Sequence, residues 1–249
     1  MTGQTERTRR WRRLGVFLLL LVLGLVAVFI THDVSTALTK SDQDYAERIL
    51  RETGHDGLVR SAHPAAFDEQ VETILAVQDA VLSIAPEGKG IPFDRPRELS
   101  DLYKARAGLC FDRSRAMEKI LSHLGFEVRH AAVYSTKDTG SPLKSLLTPK
   151  TPSHAVTEVK TERGWLVMDS NRRWIALTPE GKPVDLKTLQ EIDVSAQAWD
   201  PKVAKPAGRI FRAPFTYVLG LYSRHGRFYP PYSPVPDVDW GQLHYNVGG

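Results

Sequence analysis

The amino-acid sequence predicts an α+β protein in which helices come first and antiparallel strands follow, behind an N-terminal membrane-spanning helix. Three observations carry this. An unbroken apolar run, Leu14–Ile30, follows an arginine-rich arm. A helix with apolar positions at Ala116, Met117, Ile120, Leu121 and Leu124 opens at the only cysteine, Cys110, and closes at Gly125. Two strand-like segments, His154–Lys160 and Trp165–Asp169, then flank a tight turn.

Residues 1–13 read as a basic cytoplasmic arm, because Arg7, Arg9, Arg10, Arg12 and Arg13 stand against Glu6 alone. This arm accounts for the whole net charge of +4, so the rest of the chain is formally neutral and nucleic-acid binding is not expected. Residues 14–31 read as a single-pass anchor: at ~1.5 Å per residue the run nearly spans a ~30 Å hydrocarbon core, and its flanks are expected to make up the shortfall. Arginines before the run and none just after it put the N-terminus in the cytoplasm and the remainder in the periplasm or its equivalent, at the cytoplasmic (inner) membrane. A cleaved signal peptide is the competing reading, but the nearest small-residue pair, Ser35 and Ala37, lies far downstream of the run. In an oxidising compartment a single thiol forms no internal disulfide, which favours a reactive cysteine over an inert buried one.

Residues 32–98 read as the helical N-terminal part of the exported domain. Tyr45, Ala46, Ile49 and Leu50 recur at helical spacing before Gly54. Val71, Ile74, Leu75, Val81 and Leu82 form a second stripe, with Gln78 its only polar interruption, ended by Pro86 and Gly88. A turn-rich link over 90–96 leads to a short helical piece, Leu99–Lys104, which begins a core over 99–200. Phe126–Ser135 reads as a strand. Thr136–Ser153, with Gly140, Pro142, Pro149 and Pro152, reads as a long flexible loop, either a lid or a variable insertion. With Glu162-Arg163 as a two-residue hairpin loop, Thr161 faces Gly164 and Val156 faces Asp169. His154 and Asp169 then lie diagonally on one face, about 7–8 Å apart at Cα. A three-residue turn would put them on opposite faces. Residues 201–249 read as a Pro- and aromatic-rich extension that wraps the core, or else as an aromatic platform for sugar or peptide.

A nucleophilic cysteine needs its thiolate stabilised, and a helix N-terminus and a neighbouring imidazolium both do so. Cys110, His154 and Asp169 have the parts of a nucleophile, its base and the base's orienter. Gly108 would let a substrate carbonyl approach the backbone, the Cys110 N–H would donate to the developing oxyanion, and Tyr103 is a candidate second donor. Asp112 reads as a structural first-turn residue. No cofactor or metal is expected, since His55 and His63 lack paired acidic or cysteine ligands and no phosphate-cradling glycine loop is present.

Gly108-x-Cys110-x-Asp112, the helix to Leu124-Gly125, the strand beginning Phe126-Glu127-Val128-Arg129, His154–Val159 and Trp165–Asp169 together resemble the core of the transglutaminase-like superfamily, relatives of papain. The resemblance covers about residues 99–171. It implies a papain-like α+β fold with Cys110 as nucleophile, His154 as general base and acid, and Asp169 as the orienter of His154. Two positions depart from the pattern: Val156 stands where the family often has Trp, and Ser170 where it often has Pro. The implied activity is that of a cysteine hydrolase or acyltransferase on amide or ester bonds, with a protein or peptide substrate, a cell-envelope component among the candidates. The alternative is a catalytically degenerate papain-like module that binds peptide, glycan or an envelope assembly.

Overall fold

A computed structural model describes residues 2–60, 63–93, 95–203 and 206–248, which divide into two compact units, 1–33 and 34–249. The first unit is a single helix, α1 (Thr2–Thr31). Among the described residues no helix is long and apolar enough to cross a membrane, and this overturns the expected transmembrane anchor together with the single-pass inner-membrane location. The physical reason lies in the flanks. The apolar run measures only about 25 Å along a helix axis against a ~30 Å hydrocarbon core. The rest of α1 does not extend it, being arginine-rich before Leu14 and ending at Thr31. The side chains of residues 2–10 and 12 in the basic arm, and of Leu14, Leu25 and 28–30 in the run, lie outside the described residues.

The second unit begins with α2 (Lys40–Glu52), whose cap is reciprocal: the Asp42 amide donates to Thr39 Oγ1 at 3.1 Å, and the Thr39 amide to the Asp42 carboxylate at 2.9 Å. A single turn, α3 (Gly57–Arg60), leads to α4 (Phe67–Ile84), α5 (Leu99–Ala105) and α6 (Cys110–His123). Then follow β1 (Val128–Ser135), α7 (Pro142–Leu147), β2 (Ser153–Thr161), β3 (Gly164–Asp169) and α8 (Leu186–Glu191). The chain ends through β4 (Phe215–Leu219), β5 (Leu221–Tyr222), β6 (Asp237–Val238), α9 (Trp240–Leu243) and α10 (Tyr245–Gly248).

The principal sheet is antiparallel, with strand order β3-β2-β1-β4. Because alternate residues of a strand face opposite ways, each face has its own core. On one face Ile74, Val77 and Val81 of α4 and Met117, Ile120 and Leu121 of α6 are buried against Val159, Leu166 and Met168. Truncating any one of these larger side chains to alanine is expected to cost about 2–5 kcal/mol. On the other face Val133, Val156 and Val167 lie under Trp174, Leu189, Phe211 and Phe215. The second cluster draws on the C-terminal extension, which therefore does more than wrap: Phe215–Leu219 pairs with β1 from Ser135 to Ala131 and completes the sheet. The segment read as a flexible loop also holds structure, since Pro142 occupies the first turn of α7, where its missing N–H costs nothing.

Candidate active site

Cys110 is the first residue of α6, half-buried and free, and packs beside Phe111, Ala132, Tyr134, Ala155 and Phe228. Its amide has no protein acceptor among the described residues, as expected of a first-turn N–H. The turn before it is held by Asp112, whose carboxylate accepts from the Leu109 amide at 3.0 Å and the Ile91 amide at 3.2 Å. The second Asp112 oxygen takes the buried Arg97 guanidinium, itself held over the rings of Phe93 and Phe111 at 4.7 and 4.5 Å. Burial pushes the Asp112 carboxyl up, and Arg97 and the two amides oppose that shift. Asp112 is thus a structural post beneath the cysteine. Gly108 also has a packing reason: a Cβ there would lie 2.9 Å from Leu102 Cδ1 and 3.2 Å from Asp112 Cβ, so the space beside it is occupied by protein.

The hairpin that carries the other two residues has the register expected from a two-residue loop, with Thr161 opposite Gly164 and Val156 opposite Asp169. His154 and Asp169 therefore share a sheet face, and His154 Nε2 lies 3.0 Å from Asp169 Oδ1. That face is the one turned away from α6. Cys110 meets the pair from the tip of its helix, packed beside Ala155 of β2 and interacting with the His154 ring. With Nε2 committed to Asp169, Nδ1 is the ring nitrogen left for the thiol. Burial works to lower the His154 pKa, but the Asp169 carboxylate and then the Cys110 thiol outweigh it and push it up to about 10. The imidazole is accordingly held as a cation at neutral pH.

Several residues not singled out for the site from sequence complete it. Gln78, fully buried on α4, donates to the backbone carbonyls of Asp169 and Trp174, both at 2.8 Å. Its signal was visible as the one polar interruption of an apolar stripe. The Asn171 amide donates to Asp169 Oδ1 at 2.7 Å, and the Asn171 side chain accepts from Arg113. Arg113 is buried one turn beyond Cys110, where burial pulls its guanidinium down and Glu87, Cys110 and Asp169 hold it up. Asp169 Oδ2 is buried without a hydrogen-bond partner among the described residues, and a Cβ on Gly208 would stand 2.6 Å from it. Nothing in the sequence around Asn171, Arg113 or Gly208 announces these contacts. Tyr103, the expected second oxyanion donor, points elsewhere: its hydroxyl donates to Glu52 at 2.5 Å on an exposed surface.

His154 and Asp169 open onto a cavity of about 730 Å³ whose walls come from the ends of β1 and β2, the turn after β3 and the segment 208–213. A buried imidazolium–carboxylate pair, a thiol at a helix N-terminus and an adjoining cavity form a constellation capable of nucleophilic chemistry.

Similarity to solved structures is distant. A candidate cysteine protease from Cytophaga hutchinsonii aligns at 18% identity and TM-score 0.37, over 53% of this chain and 38% of that one. An arylamine N-acetyltransferase from Salmonella typhimurium aligns at 16% identity and TM-score 0.32, over 54% of this chain and 45% of that one. This chain thus spans less than half the length of either. No curated protein sequence shows significant similarity. Residues 59–170, a stretch that holds Gln78, Cys110, His154 and Asp169, match the family model of the transglutaminase-like superfamily.

Proposed function

We propose that the chain is a thiol enzyme that acts on an amide or ester carbonyl of a protein or peptide through a Cys110 thioester. The observation that carries this reading is the His154 Nε2 to Asp169 Oδ1 contact of 3.0 Å beside the half-buried thiol, at the wall of the cavity. The Cys110 thiolate attacks the carbonyl carbon, and the carbonyl π electrons move to oxygen. The Cys110 amide, without a protein acceptor, donates to that oxyanion. As the carbonyl re-forms, the C–N or C–O bond breaks and the His154 imidazolium gives its proton to the leaving group. Neutral His154 then takes a proton from water, or from an acceptor amine, as it attacks the thioester. The tetrahedral adduct expels the Cys110 thiolate, and the imidazolium is restored. Asp169 holds the ring in place and stabilises its charge throughout.

The test uses p-nitrophenyl acetate and the full-length chain. The expected result is a burst of one nitrophenolate per chain with an acetyl group on Cys110 by peptide mass mapping, absent from Cys110→Ala. A folded protein that shows neither burst nor adduct supports a binding module instead.

A further inference from the structure

The cavity beside His154 has an uneven charge distribution, although the chain beyond residue 13 is formally neutral. Its charged lining residues outside the His154–Asp169 pair are Glu87, Lys137, Asp138, Arg172 and Arg209. Glu87 is offset by the buried Arg113, whose guanidinium it helps keep charged, and Lys137 and Asp138 are sequence neighbours that offset each other. Arg172 and Arg209 remain. Both are exposed, and neither guanidinium has a carboxylate or hydrogen-bond partner among the described residues.

Their placement relates them to the chemistry. Arg172 follows Asn171, whose amide is bonded to Asp169 Oδ1. Arg209 follows Gly208, which abuts Asp169 Oδ2. The two arginines thus leave the two segments that clasp the carboxylate of Asp169, one from each, and both reach the same cavity wall as His154. A guanidinium presents a planar fork matched to a carboxylate. A site built to take a neutral chain would not be expected to set two unpaired forks across its catalytic wall.

Resting on the thiol-enzyme reading, we propose that Arg172 and Arg209 select an acyl donor bearing a carboxylate within two residues of the scissile carbonyl, an acidic peptide segment. Such a group would sit over the His154–Asp169 pair, with the arginines closing on it while the carbonyl lies at Cys110.

The test is the rate at which Cys110 is alkylated by tripeptidyl chloromethyl ketones that carry Glu, Gln or Lys at one or two residues before the reactive alanine. In each reaction the thiolate forms a carbon–sulfur bond and chloride leaves. At low salt a Glu probe is expected to label about tenfold faster than its Gln counterpart, with Lys slowest, and the advantage should shrink as salt screens the exposed charges. In an Arg172→Gln/Arg209→Gln variant the Glu and Gln rates should converge while the Gln rate holds. Equal Glu and Gln rates in the wild-type chain overturn the selectivity, as does a preference that survives the double variant. Both results leave the thiol-enzyme reading standing. Failure of every probe to label Cys110, combined with absence of the acetyl adduct, removes that reading and the selectivity with it.

Discussion

Two histidine–carboxylate pairs stand on neighbouring strands of one sheet, and their surroundings separate them. His154 on β2 meets Asp169, lines the cavity and has the Cys110 thiol beside it. His130 on β1 meets Glu118 of α6, but it has no exposed surface and lies under the ring of Tyr222, stacked at 4.0 Å between centroids. Its neighbours are structural: Ser114 at 3.2 Å from its Nδ1, Thr157 at 2.9 Å from Ser114, and Gln242, which accepts from the His130 amide at 2.7 Å. The first pair sits on the face turned away from α6 and is met by the helix tip. The second sits on the opposite face and rivets the middle of α6 and the C-terminal α9 to the sheet. The paired chemical groups are nearly the same, so what marks the candidate site is access and a neighbouring thiol, and what marks the fastener is burial among further hydrogen bonds.

The largest effects are expected at the imidazoles. On the proposed mechanism His154→Ala is expected to lower turnover per folded molecule by at least ~10³-fold, because general base and acid disappear together, and also to destabilise the fold by leaving buried Asp169 without its partner. Steady-state hydrolysis beside circular dichroism reads both. Asp169→Asn leaves a ring of the right shape with poor orientation and no counter-charge, so a loss of about 10²–10⁴ in kcat is expected. A loss under tenfold would mean that the ring needs no counter-charge, an amide at 169 held by Asn171 and Gln78 being enough to orient it. Gly208→Ala drives a methyl to within 2.6 Å of Asp169 Oδ2 and should cost roughly tenfold in kcat through a displaced carboxylate. Single-turnover acylation separates that effect from weaker substrate binding.

Proton linkage gives a subtler contrast. His154 has its pKa raised above the ordinary 6.5 to about 10, so the stability it contributes is fully present below about pH 6.5 and is lost as pH rises through 10. The denaturant midpoint of the wild-type chain should therefore fall toward that of His154→Gln between pH 7 and 10, whereas a constant gap would contradict the charged ring. The smallest effect on chemistry is expected at the fastener. His130→Ala should destabilise the fold by about 2–3 kcal/mol by removing one partner each from buried Glu118 and Ser114 and the ring stacked on Tyr222, yet leave the alkylation rate of Cys110 per folded molecule within about twofold. Urea titration and iodoacetamide labelling of the same preparation measure the two quantities.

The hairpin that carries His154 and Asp169 is readable in the sequence because its information is local. Period-two burial and a two-residue loop fix one register, and that register sets which residues share a face. Helix α6 was readable from its apolar spacing and from Gly125, which has φ +88 at the C-terminal turn. What escaped was non-local. Phe215–Leu219 is a strand because β1 offers it an open edge, and no neighbour in sequence says so. Pro142 read as a breaker although it starts α7, since proline's meaning depends on whether a helix lies after it. The apolar run of α1 shows the limit of composition alone, because a membrane span is a question of sustained apolar length as well as of content. Gln78 lies between these cases. Its oddity was visible as a polar residue in an apolar stripe, but its partners, the carbonyls of Asp169 and Trp174, lie more than ninety positions away.

The pairing of β4 with β1 has a consequence for how the protein comes into being. A chain emerging from the ribosome presents Cys110, His154 and Asp169 well before it presents Gly208 or residues 215–219. Until those arrive, one edge of β1 lacks its partner and the cavity lacks a wall, so the Cys110 thiol is made before the enclosure beside it. A chain cut before residue 208 is therefore expected to carry Cys110, His154 and Asp169 without the assembled cavity beside them.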